Sequence, residues 1–448
     1  MGRGRDDGAC GGVVSPAPGA RAARGTGPRG IRPATHPRLT AVLSATLSAA
    51  ALLAACDDAP SGRDSFAPLE FTAADIEVIG SSDSLAVVQD MEVLSDGSVW
   101  VLNSQPPFFA GFGPGGESLG VHGRSGGGPG EFQMPSGFVT GGWEGDAWVF
   151  DFARHVIIRI SKPRESLAVI PLRSVALPPG SVRGGMNMLG NLVRTARMGR
   201  EIILPRSTAT MESGPLQFRF SLLLADLVAV DPETGGVRDL VALGEVLDDP
   251  SGDFIPSEGA FPLWYRLWAP CGDDVVRVHD RVRNQLRGFD GSGTEVDPID
   301  LPPVPFSEVT PHQFAAAVFG MRQAQLTADV SARLTEEDSL RVLDRIARTV
   351  RGRPDELASY LPRYVDLRCT ESGTIWMHPL DPDVGGLSGG RRWLRIAPDG
   401  AADPAGAVQD VYLPDGFDAF RFTESRIWGI RRDENDIPSV AFIALPGG

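Results

Sequence analysis

The chain has 448 residues with 54 Gly and 37 Pro, a composition that suits many short strands and tight turns. Formal net charge is −15; residues 1–55 carry seven Arg against Asp6 and Asp7, a surplus of five that leaves −20 on the remainder. A body this acidic repels phosphate backbones, which argues against a nucleic-acid partner. Lys162 is the only lysine and precedes Pro163 in a predicted turn, so Schiff-base catalysis has one poor candidate.

Residues 1–38 are rich in Arg, Gly and Pro and show no apolar periodicity. Leu39 to Ala55 follows as an apolar run of 17 residues, rich in Ala and Ser, and ends at Cys56. A basic stretch, a short apolar core and small residues at its end predict an export signal; the run is short for a membrane span. Leu53-Ala54-Ala55-Cys56 resembles the lipobox of bacterial lipoproteins. That resemblance implies a leader over 1–56, lipidation of Cys56 and a mature protein held to a membrane by acyl chains. It also implies a cell-envelope address, on the periplasmic side or the outer surface. Residues 57–66 are polar, with Pro60, Ser61 and Gly62, and read as a tether.

From residue 67 to 448 short apolar runs alternate with turns. Phe66 to Gly80 is extended and is predicted to complete the last unit of the array. Two copies of one unit come next. Ser95-Asp96-Gly97-Ser98-Val99-Trp100-Val101-Leu102-Asn103 reaches Phe112 nine positions on, and Trp143-Glu144-Gly145-Asp146-Ala147-Trp148-Val149-Phe150-Asp151 reaches Ile160 nine positions on. Trp100 and Trp148 are 48 residues apart. A repeat of this length, built from β-like runs and Asp-Gly or Glu-Gly turns, predicts β-propeller blades. Between the copies lies Gly128-Pro129-Gly130-Glu131-Phe132 followed by Pro135. This resembles the inter-blade connection of NHL-like six-bladed propellers, and the resemblance covers most of 67–448.

The third unit is less regular. Gly190 to Val193 reads as an inner hairpin, Leu227–Val230 and Val237–Leu243 as an outer one, and Met198 to Gln217 as an excursion between them. The fourth repeats the spacing from Asp280 to Phe289. Residues 307–360 break the pattern with two predicted helices. One opens at Thr310-Pro311-His312-Gln313; the other carries the stripe Leu340, Leu343, Ile346, Ala347 and Val350. The fifth unit restarts at Tyr364 and copies the theme in Glu371-Ser372-Gly373-Thr374-Ile375-Trp376-Met377. The last holds Arg426–Ile430 and Ser439–Ile443. The expected fold is an all-β, six-bladed propeller with a helical insert at about 307–360.

Gly111-Phe112-Gly113-Pro114-Gly115-Gly116 satisfies G-x-G-x-x-G, but a strand-like run follows where a dinucleotide site needs a helix. It reads as a hairpin turn. Two G-x-S-x-G stretches, at 123–127 and 386–390, likewise lack the helix of a nucleophile elbow. Aligning the units puts Leu102, Phe150, His279 and His378 at one position. The amidating lyase of neuropeptide processing, a similar six-bladed NHL protein, binds zinc through His from several blades; gluconolactonase-like propellers hold calcium with carboxylates and Asn. Those resemblances frame an alternative reading, a metal-dependent hydrolase or lyase using zinc or calcium. Two His fall short of the three protein ligands usual for catalytic zinc.

Asn103, Asp151 and Asp280 share a repeat position and read as recurrent turn residues. Cys271 and Cys369 end the inner strands of neighbouring units. An exported compartment permits their pairing, but adjacent inner strands can hold the Cα atoms beyond the ~7 Å limit, so the sequence leaves it open. No complete catalytic constellation appears, no cofactor is predicted, and the leading expectation is a binding scaffold for a ligand or an envelope protein. Arg124, Glu131, His279 and His378 are its candidate contacts.

Overall fold

In the computed structural model the described residues are 67–85, 87–141, 145–160, 169–172, 194–207, 225–242, 267–280, 283–302, 341, 363–381, 390–398 and 408–446. They are all-β apart from a 3-10 turn at Ala73–Asp75 and a helical residue at Arg341. The insert expected at 307–360 otherwise lies outside them, as do the leader, Cys56, the tether and the hairpin expected at 190–193. No helix among the described residues is long and apolar enough to cross a membrane.

The strands form antiparallel meanders in a propeller-like arrangement. Sheet I runs Val88–Val93, Val99–Asn103, Phe109–Phe112, Ser118–His122. Sheet II has eight strands in two halves. Half IIa is Pro135–Thr140, Trp148–Asp151, Val156–Arg159, Val169–Pro171, and half IIb is Thr195–Met198, Glu201–Ser207, Ala225–Val230, Val237–Val241. A short parallel pairing, Thr195 with Val139 and Ala196 with Thr140, joins the first strands of the halves. Sheet III is Trp268–Cys271, Val275–Asp280, Gln285–Asp290, Glu295–Asp300. Sheet IV is Tyr364–Cys369, Ile375–Pro379, Arg392–Ile396, Val408–Tyr412, and sheet V is Phe417–Phe422, Arg426–Arg432, Pro438–Ala444.

The N-terminal run divides between the last two sheets. Leu69–Glu70 lies parallel to the outer strand of sheet IV, and Ile76–Ser81 adds an antiparallel outer strand to sheet V. First strands are neighbours in order around the array, and Phe417–Phe422 of sheet V returns to Val88–Val93 of sheet I.

The second strands explain the sequence repeat. Val99–Asn103 is buried at every position because both faces of the sheet are covered by neighbouring sheets. An apolar core fills each junction: Trp100 and Phe109 of sheet I meet Phe138 and Ile158 of IIa. Trp148 and Phe150 of IIa meet Ile202 and Val230 of IIb. The series ends where Trp428 and Phe442 of sheet V meet Met91 and Val101 of sheet I. The repeat tryptophan thus faces the next sheet each time.

One expectation is corrected. The excursion read from Met198 opens instead with a strand, because Gly199, at φ 58°, and Arg200 turn the chain tightly and Met198 pairs with Glu201. Ile202, Ile203 and Leu204 then bury against both adjoining sheets. The G-x-G-x-x-G stretch is a hairpin turn between Phe109–Phe112 and Ser118–His122. Gly116 there has φ 84°, and a Cβ on it would collide with the Ile79 carbonyl oxygen.

Candidate functional site

The first strands converge on two buried ionic clusters. Three of them carry a charge directly opposite the repeat tryptophan: Glu92 opposite Trp100, Arg368 opposite Trp376 and Arg421 opposite Trp428. Asp90 and Asp366 sit two residues earlier in sheets I and IV, each beside a β-bulge, and each accepts a hydrogen bond from the following backbone N–H. The bulge bends the strand and lets two acidic or basic side chains share the inner edge.

The first cluster spans sheets V, I and IIa. Arg421 donates through Nε to Glu92 at 2.9 Å and lies 3.0 Å from Asp90. Asp90 also accepts from the Phe138 N–H at 2.8 Å. The second spans IIb, III and IV. Arg194 donates to the Trp268 carbonyl at 2.9 Å, to the Leu367 carbonyl at 2.5 Å and to Asp366 at 2.8 Å. Arg368 donates through Nε to the other Asp366 oxygen at 2.9 Å. Between them the clusters engage every first strand.

Their electrostatics differ. Burial lifts the Glu92 carboxyl above its ordinary range, against the pull of Arg421. Burial also works to raise Asp366, but Arg368 and Arg194 outweigh it and hold the carboxyl down at about 2. Arg194 is lowered to about 10 by burial and by the like charges of Arg368 and Arg421. The effect of Arg421 on Arg194 puts the two clusters within electrostatic reach of each other.

The residues singled out from the sequence fall in several places. Arg124 and Glu131 come together, with guanidinium and carboxylate 3.4 Å apart across a two-stranded parallel pairing of Arg124–Ser125 and Glu131–Phe132. Arg124 is largely exposed, while Glu131 also accepts from the Gly128 N–H and, through its carbonyl, from Arg154. His279 and His378 have different surroundings. His279 is buried edge-on to Tyr364, with ring centroids 5.1 Å apart. His378 stacks on Trp393 at 4.1 Å, with Nε2 3.1 Å from the Gly390 carbonyl. Cys271 and Cys369 are joined as a disulfide with Cα atoms 4.9 Å apart, tying the first strands of sheets III and IV.

Asn103, Asp151 and Asp280 are all buried at the ends of second strands. Asp151 accepts from the N–H groups of Gln133, Met134 and Arg154, which makes it a loop anchor. Among the described residues no group of three or more His, Cys, Asp or Glu is arranged to hold a metal ion.

No protein-family model matches this sequence, and no curated protein does. Solved structures resemble it distantly. A catalytically inactive virginiamycin B lyase from Staphylococcus aureus is 11% identical, covering 84% of this chain and 98% of its own, with a TM-score of 0.35. A putative exported protein from Bacteroides fragilis is 10% identical over 84% and 98%, with a TM-score of 0.44. The calcium-binding protein regucalcin from Agrobacterium tumefaciens is 10% identical over 85% and 97%, with a TM-score of 0.41. These are likenesses in outline and leave the assignment of function to the residues themselves.

Proposed function

We propose that this chain is an exported six-bladed propeller, lipid-anchored through Cys56, that serves as a binding scaffold in the cell envelope. The count takes each half of the eight-stranded sheet as one blade, which the cores at every junction and the return of sheet V to sheet I support.

One observation carries the scaffold reading over the metal-dependent hydrolase or lyase. The inner-edge carboxylates Asp90, Glu92 and Asp366 are each held by arginine. A carboxylate neutralised by a guanidinium is a poor donor to calcium, which takes six to eight oxygen ligands. His279 packs edge-on to Tyr364, whereas His378 stacks on Trp393 with its Nε2 at the Gly390 carbonyl, so the two rings sit in separate surroundings. The test is metal content of the purified chain, prepared without chelator or affinity-tag histidines. The scaffold reading expects no stoichiometric zinc or calcium; one equivalent of either supports the hydrolase or lyase. Labelled palmitate should enter the wild-type chain and not Cys56→Ala, or the anchor is wrong.

A further inference from the structure

The second ionic cluster leaves hydrogen-bond donors unused. Among the described residues Arg194 and Arg368 share one carboxylate, Asp366, while in the first cluster Arg421 faces two, Asp90 and Glu92, so the two clusters balance only together. The unused donors lie on one residue. Arg421 engages Glu92 and Asp90 through its three nitrogens, and Arg194 engages two carbonyls and Asp366. Arg368 engages Asp366 through Nε, and its two terminal nitrogens have no partner among the described residues. A guanidinium offers five N–H donors, four of them on those terminal nitrogens. The side chain is 17% exposed, enough for a small solute to reach and too little for full hydration.

The position is also held rigidly. Asp366 fixes Nε from within the same strand, and the disulfide at Cys369, the next residue, fixes the strand to sheet III. A terminal pair of donors held in a plane on a partly desolvated guanidinium matches the two oxygens of a carboxylate or a phosphate.

We propose that the terminal guanidinium nitrogens of Arg368 form an oxyanion-binding site at the inner edge of the ring, for a ligand presenting a carboxylate or phosphate group. This deepens the scaffold reading by naming the chemistry of its ligand, and it rests on that reading for its location at a channel. Metal content tests the scaffold against the metal enzyme; the experiment here tests only the anion site.

Inorganic phosphate and acetate are titrated separately into the full chain at constant ionic strength, with chloride as control. Thermal unfolding and calorimetry are the readouts. The expected result is a saturable rise in Tm with at least one oxyanion and none with chloride. A preference for phosphate points to a phosphorylated ligand, a preference for acetate to a carboxylate one. Arg368→Gln should weaken binding about tenfold or more, and Arg368→Lys, which keeps the charge and loses the planar pair, by less. Should Arg368→Gln fail to fold, Arg368→Lys carries the comparison. No saturable effect of either oxyanion, or undiminished binding in both variants, overturns the proposal.

Discussion

Arg421, on the first strand of the last sheet, donates to Glu92, on the first strand of the first sheet, across 329 residues of sequence. The contact joins the two ends of the array, and both side chains are buried. Removing one partner of a buried pair strands the other charge in a medium of low polarity, a larger loss than the pair itself is worth. Arg421→Met should therefore cost about 3–5 kcal/mol in urea unfolding. Adding Asp90→Asn and Glu92→Gln to that variant should recover part of the loss. An Arg421→Met protein as stable as wild type would show that the contact contributes nothing to closure.

Acid should weaken the second cluster. Asp366 is held at about 2 in the folded chain, below its ordinary 3.8. A depressed carboxyl gives stability that is present above its unfolded value and lost as pH falls through the folded one. Roughly 2 kcal/mol should disappear between about pH 4 and pH 2, and Asp366→Asn should flatten that part of the profile. Glu92 has the opposite sign. Its raised value gives stability that is present below its ordinary value and lost as pH rises through the folded one. Glu92→Gln should remove that fall, read by denaturant midpoints across the acid range.

The Cys271–Cys369 bond closes a loop over 98 residues and ties sheet III to sheet IV. Replacing both cysteines by serine should cost about 2–5 kcal/mol. Thiol titration of the unreduced, denatured chain checks the bond directly. Wild type and the double variant should give the same count, because the bond leaves neither Cys271 nor Cys369 free and the two chains differ in no other cysteine.

Gly116→Ala should destabilise the hairpin between the second pair of strands in sheet I. The backbone there is left-handed, and the added methyl meets the Ile79 carbonyl of the neighbouring strand. A cost of about 1–3 kcal/mol is expected. Gly115→Ala, one residue earlier, has only the flexible Glu117 carboxylate near its Cβ and should cost less. Equal effects would argue against the close approach.

The periodic features of the fold were legible. Trp100, Trp148 and Trp376 recur because the second strand of each unit needs a large apolar side chain against the next sheet, and local sequence records that need. Glu201–Ser207 was missed because a two-residue turn at Gly199-Arg200 leaves almost no polar break in the pattern. The ionic clusters were missed for a different reason. Arg421 and Asp90 are 331 residues apart, and Arg194 and Asp366 are 172 apart, so no local spacing links them. A signal was present in Asp90-Met91-Glu92 and Asp366-Leu367-Arg368, where charges flank an apolar residue on strands that otherwise bury. His279 and His378 do share a repeat position, but aromatic neighbours supplied by different strands give them different environments.

The divided N-terminal run also governs when this protein can finish folding. Leu69–Glu70 and Ile76–Ser81 are made first, yet their partners, Val408–Tyr412 and Pro438–Ala444, are made last. During synthesis the early strands wait for those partners, with their backbone edges unpaired. Sheets IV and V therefore gain their outermost strands only when the two ends of the described chain meet.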